Sequence, residues 1–107
     1  MATYTAQAIG VAGTVLTPRT AASGDKLIPD SNASIIVMNG DSSPHDLTFA
    51  VPGTNEDGEP NPDVVRSVTN ATSKAIKVNA KWADPSDGLI ALTWAATTSM
   101  TFYYVRV

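Results

Sequence analysis

Residues 88–107 read GLIALTWAATTSMTFYYVRV, and the reading of this stretch decides the fold. Ile90, Leu92 and Trp94 alternate with Ala91 and Thr93, the two-residue period of a strand with one buried face. After ATTS at 96–99 comes a run with bulky residues on both faces. Phe102 and Tyr104 share one face, and Tyr103, Val105 and Val107 share the other. A strand that is large on both faces is covered on both faces. The expectation is therefore two strands, 89–95 and 100–107, joined by 96–99 into a hairpin that lies centrally in a sheet. One cover is the domain's own core, and the other is the N-terminal arm or another molecule.

Working outward, SIIVMNG (34–40) is a β-branched run stopped by Asn-Gly. HDLTFAVPG (45–53) places Leu47, Phe49 and Val51 on one face, with Thr48 and Ala50 on the other, and ends at Pro52-Gly53. VVRSVT (64–69) alternates again. SKAIKVNA (73–80) points Ile76 and Val78 inward and Lys77 outward, and DPSDG (84–88) is a turn. No window shows a helical apolar period. Short strands separated by turn signals predict an all-β fold, a single small sandwich or barrel of about seven strands. Residues 1–33 read as an extended N-terminal arm and loop leading into a β domain at 34–107. Within the arm, 12–17 reads as a short strand ended by Pro18, and 19–34 is loop chemistry with Gly24, Pro29 and Asn32.

The composition bounds the function. A net charge of −3 with only seven Lys and Arg argues against charge-driven binding to nucleic acid or to an anionic membrane. The absence of cysteine excludes disulfides and thiolate metal sites. No apolar run approaches the ~20 residues that span a bilayer. MATYTAQAIG lacks the basic start and long apolar stretch of a secretory signal, so synthesis in a cytoplasm is expected. The two Asn-X-Ser/Thr sequons, at Asn32 and Asn70, are then coincidental. Charged residues make up 16% of the chain, below the ~25% of average domains, which suits a sheet surface that presses against neighbours.

A search for chemistry finds little. The single histidine, His45, sits in NGDSSPHDL beside Ser42, Ser43 and Asp46, but residues this close in sequence rarely form a nucleophile, base and orienter, and it reads as a solvated turn residue. The acidic run NEDGEPNPD (55–63) fails the spacing of a helix–loop–helix calcium loop: with Gly58 at the sixth position, Gly53 is first and Val64 twelfth. A looser cation site using Glu56, Asp57, Glu59 and Asp63 competes with a solvated loop kept extended by Pro60 and Pro62. Trp94 belongs to the core by alternation. Trp82, before a turn, is either a rim-packing residue or a sugar-stacking one. No catalytic residue, metal ligand or cofactor is expected, and the chain is expected not to be an enzyme.

The segment GDKLIPDSNASIIVMNGDSSPHDLTFAVPGT (24–54) and the Thr-rich turn leading to the terminal strand resemble a family of small β-rich capsid decoration, or cement, proteins of tailed phages of actinobacteria. The closest likeness is VMNGDSSPHDLTFAVPGT (37–54); the acidic run and the Tyr103-Tyr104 pair depart from the pattern. The resemblance implies a virion protein on the outer capsid surface, made in the host bacterial cytoplasm. It would bind the major capsid protein and stabilise the head, with neither nucleic acid nor membrane as partner; neighbouring copies are a further expected partner, with a trimer at three-fold or quasi-three-fold positions and a monomer on each capsomer as the two arrangements. A head–tail connector or tail subunit and a glycan-binding virion module are the alternatives. The arm residues expected to make capsid or subunit contacts are Tyr4, Ile9, Val11, Val15 and Leu16. Tyr4 stands out because an extended segment has little reason to hold an aromatic ring unless it docks.

Overall fold

The structure, a computed structural model, describes residues 2–106. Its elements in chain order are strands β1 (Thr3–Tyr4), β2 (Gln7–Ala8), β3 (Arg19–Thr20), β4 (Lys26–Leu27), β5 (Ala33–Asn39), β6 (His45–Phe49), β7 (Val64–Val68) and β8 (Thr72–Lys77), a 3₁₀ turn at Ala80–Trp82, then β9 (Ile90–Trp94) and β10 (Met100–Arg106). The fold is all-β. One sheet has the order β1-β4-β9-β6-β7 and the other β2-β10-β5-β8, with β3 also paired to β10. The two mixed sheets face each other as a sandwich.

Alternate side chains of the strands fill the space between the sheets. β5 buries Ala33, Ile35, Val37 and Asn39 and leaves Ser34, Ile36 and Met38 partly exposed. β6 contributes Leu47 and Phe49, β8 and the residue after it Ile76 and Val78, β9 Ile90, Leu92 and Trp94, and β10 Met100, Phe102 and Tyr104. Lys77 is exposed, as its place in the alternation predicts. The buried Asn39 is fully used. Its amide donates to the carbonyls of Ser43 (2.9 Å) and Val68 (3.0 Å), and its side-chain oxygen accepts from the amide of Asp41 (3.0 Å). It ties the β5–β6 turn to the end of β7.

The expected hairpin of β9 and β10 does not form. β9 pairs with β4 and β6 in one sheet, and β10 pairs with β5, β2 and β3 in the other. The segment between them is an arch that crosses from sheet to sheet. Ala95 N–H donates to the Asp46 carbonyl, Gly40 N–H donates to the Ser99 carbonyl, and Ser99 takes a positive φ of 57°. The physical reason is the match of two apolar faces. In a hairpin Trp94 and Phe102 would lie on one sheet. In the arch their rings meet across the core, with centroids 5.4 Å apart.

Residues 12–17 form no strand, contrary to expectation. Pairing within the first 33 residues occurs instead in two-residue pieces, β1 to β4, spread over both sheets. Lys26 N–H donates to the Ala2 carbonyl and Ile28 N–H to the Tyr4 carbonyl. Side chains anchor these short pieces. Leu27 is fully buried. Asp25, also fully buried, accepts hydrogen bonds from Trp94 Nε1 (3.1 Å) and from Ala22 N–H (2.9 Å). Tyr104 donates its hydroxyl to the Ile28 carbonyl at 2.7 Å. Burial, with the nearby Asp30 carboxylate adding to it, pushes the Tyr104 hydroxyl up to about 12.

Candidate functional site

β2 and β3 lie on the same edge of β10. β2 runs parallel, with Gln7 opposite Val105 and Ala8 opposite Arg106. β3 runs antiparallel, with Thr20 opposite Thr101 and Arg19 opposite Phe102. The chain therefore leaves that edge at Ala8, returns to it at Arg19, and loops outward over 9–18. The base of the loop is clasped. Gln7 Oε1 accepts from Thr17 N–H at 2.8 Å, Gln7 Nε2 faces Thr17 Oγ1 at 3.5 Å, and Ile9 N–H donates to the Arg106 carbonyl at 3.0 Å. The tip is a tight turn. Gly13 N–H donates to the Gly10 carbonyl at 3.0 Å, and Thr14 Oγ1 accepts from Gly10 N–H at 2.9 Å. Gly13 has φ +93°, a conformation that a residue with a Cβ rarely adopts.

This turn places Val11 at a corner facing solvent. Val11 is fully exposed, Val15 is 92% exposed and Ile9 about half exposed. β-Branched apolar side chains have no local reason to occupy a solvent-facing turn. Three of the five exposed large hydrophobic residues among the described ones, Ile9, Val11 and Val15, thus lie on this one loop. Leu16 is half-buried.

Of the five residues expected to make contacts, Ile9, Val11, Val15 and Leu16 lie on this loop. Tyr4 is separate from them. Its ring meets Phe102 edge-on, with centroids 5.2 Å apart and planes at 85°, and the Arg19 guanidinium lies 5.3 Å from the Tyr4 centroid. Tyr4 is thus a latch of the arm onto its own core. Burial raises its hydroxyl above the ordinary tyrosine range, the Asp25 carboxylate adds to the rise, and Arg19 opposes it.

The remaining candidates serve local structure. His45 is the first residue of β6 rather than a turn residue, and its side chain is only 13% exposed. Its Nε2 lies 2.8 Å from Asp41 Oδ2. That contact, with the Ser42 amide hydrogen bond, holds the Asp41 carboxyl below the usual carboxylate range. The acidic run is a folded hairpin rather than an extended loop. Asn55 Oδ1 accepts from the amides of Asp57 and Glu59, Asn55 N–H donates to the Glu59 carbonyl, and Thr54 bridges to Pro60. Among the described residues no group of acidic or histidine side chains is placed to hold a metal ion. Trp82 is half-buried and stacks on Phe49, centroids 5.0 Å apart, as a rim residue.

The Gln7–Thr17 clasp was not foreseen from the sequence, nor was the Asp25–Trp94 bond. Each joins residues of unremarkable local context, so no local signal announces it. No protein-family model, curated protein or solved structure matches the chain.

Proposed function

We propose that this protein works by adhesion: it is a phage capsid decoration protein that binds the outer surface of the major capsid lattice and stabilises the head. The observation that carries the reading is the clasped loop 9–18, which holds Val11 and Val15 in solvent on a base bonded to Gln7 and β10. The choice of partner rests on the likeness of 37–54 to decoration proteins, and the loop is the proposed physical means.

The loop is ordered before it meets a partner. Less conformational entropy is then lost on docking than a free arm would lose, so a small apolar contact retains more of its binding free energy. A modest contact suffices where many copies act together on one particle. The N-terminal residues expected to form an extended arm already pair within the chain through β1 to β4, which leaves the loop tip for a partner.

The test uses expanded heads that lack the protein. Wild type should load on the order of hundreds of copies per head, as multivalent cladding requires, and raise the temperature at which heads release DNA. A variant carrying Val11→Asp and Val15→Asp should fold normally and fail to load. A copy number of roughly three to twelve would favour a connector or tail subunit, the range that symmetric rings and fibres use. Retention on cell-wall glycan, abolished by Trp82→Ala, would favour the glycan-binding module.

A further inference from the structure

A second surface lies at the other side of the sandwich, where edge strand β7 faces edge strand β8. Between them opens a cleft of about 500 Å³, lined by Arg66, Lys77, Lys81, Asn79, Ser31 and Trp82, with no carboxylate in its lining. It holds three of the seven cationic side chains of a chain whose net charge is −3. Among the described residues the ion pairs are Lys26–Asp87, His45–Asp41 and Arg106–Asp30, so Arg66, Lys77 and Lys81 have no carboxylate partner among those residues.

The acidic counterpart is the hairpin at 53–61. Glu56, Asp57 and Glu59 are exposed at its tip, and Gly58 closes the turn with φ +80°. Asn55 fixes the tip through its two amide hydrogen bonds, while Asn61 Nδ2 donates to the Pro52 carbonyl and Asn61 N–H to the Gly53 carbonyl at the root. The three tip carboxylates are thus presented on a preformed knob. Hairpin and cleft share one end of the molecule. Phe49 and Val64, which pair at the hairpin's root, adjoin the cleft through the Phe49–Trp82 stack and through Arg66, two residues along β7.

We propose that two copies of this chain associate by exchanging these parts, each acidic hairpin seating in the other copy's basic cleft. Because knob and socket sit side by side, a two-fold arrangement satisfies both at once, and the interface closes on itself. Like charges would face each other in any register that set hairpin on hairpin or cleft on cleft, so the charge pattern selects this one. The three-fold arrangement expected from the sequence would need the two parts on different sides of the molecule. The loop 9–18 takes no part in the exchange.

The test is sedimentation of the purified full chain over a range of concentrations, at low and high salt. Wild type should form a dimer at low salt whose dissociation constant rises about tenfold or more at high salt, since exposed ion pairs are screened within a Debye length. Lys77→Glu with Lys81→Glu should be monomeric, as should Glu56→Lys with Asp57→Lys, each with a wild-type thermal melt because all four side chains are exposed. Mixed together, the two reversed variants should associate one to one. A wild-type monomer at the highest soluble concentration, a higher oligomer, reversed variants that dimerise like wild type, or a mixture that stays monomeric would each overturn the exchange. So would a monomer whose cleft instead retains a uronate polysaccharide in a Lys77- and Lys81-dependent way. None of these outcomes bears on loading through Val11 and Val15, so this proposal and the proposed function fail separately.

Discussion

β5 and β10 meet along seven residue pairs, from Ala33–Arg106 to Asn39–Met100, whereas β1 and β4 meet their neighbours along two. Both regions are extended and both belong to the same sandwich, yet they are held by different means. The long seam gains from a continuous ladder and from every second side chain entering the core. The short ribbon strands have too little ladder to hold alone, and each is pinned by a particular anchor: Tyr4 on Phe102, Asp25 under Trp94, the Tyr104 hydroxyl on the Ile28 carbonyl. Stability in the seam is spread over many contacts, while in the ribbon it is concentrated in a few.

The largest effect should come where the two regions meet. Phe102 packs on Trp94 and on Tyr4, so Phe102→Ala should lower the unfolding free energy by about 3–5 kcal/mol in a denaturant titration, loosening seam and ribbon together. Asp25→Ala should cost about 1–3 kcal/mol, because Trp94 Nε1 and the Ala22 amide lose their acceptor in a dry site. If the ribbon were only a passive tail, this change would scarcely move the midpoint. Tyr4→Ala removes the edge-on ring contact and the Arg19 stack, worth about 1–2 kcal/mol together. Its signature is locality: amide exchange should accelerate at 3–9 while the β5–β10 amides keep their protection.

Tyr104→Phe is smaller, about 1 kcal/mol for one hydrogen bond, but it carries a pH signature. The folded hydroxyl titrates near 12, above its ordinary value of 10.0. A raised folded value means the contribution is complete below pH 10.0, falls as the unfolded chain ionises between 10.0 and about 12, and is gone above that. Wild type should therefore lose stability more steeply than Tyr104→Phe across that window, as followed by urea unfolding at each pH.

The same contrast explains what could be read in advance. Long strands announce themselves: the alternation in 45–49 and 90–94 predicts which side chains enter the core, and Leu47, Phe49, Ile90 and Leu92 are all there, while the β-branched run 34–39 announces a strand without saying which face is buried. What alternation cannot say is which sheet a strand joins. β9 and β10 are adjacent in sequence and carry matching apolar faces, a pattern equally good for a hairpin in one sheet or an arch between two. Only the pairing of β10 with β5, some sixty residues upstream, decides it. Two-residue strands are below the length at which a period exists, so β1 to β4 were unreadable, and the apolar letters of 12–17 misleadingly resembled a strand. His45 was misplaced because Pro44 and the serines before it read as one turn, while the strand begins at His45 itself.

The loop 9–18 was half legible. Ile9, Val11 and Val15 stand out as apolar residues in an extended arm, although Val15 was read as part of a short strand at 12–17. The Gln7–Thr17 clasp at the base of their loop depends on β2 and β3 sharing the β10 edge, which is a tertiary fact.

The smallest expected effect on stability belongs to that loop, and it carries the central claim. The Val11→Asp, Val15→Asp double variant changes only exposed side chains, so its unfolding free energy should stay within about 0.5 kcal/mol of wild type. The direct measurement is its occupancy on expanded heads beside wild type, with the two melts run in parallel. Normal melting with lost occupancy is the predicted result. Undiminished occupancy in a normally folded variant would contradict the account.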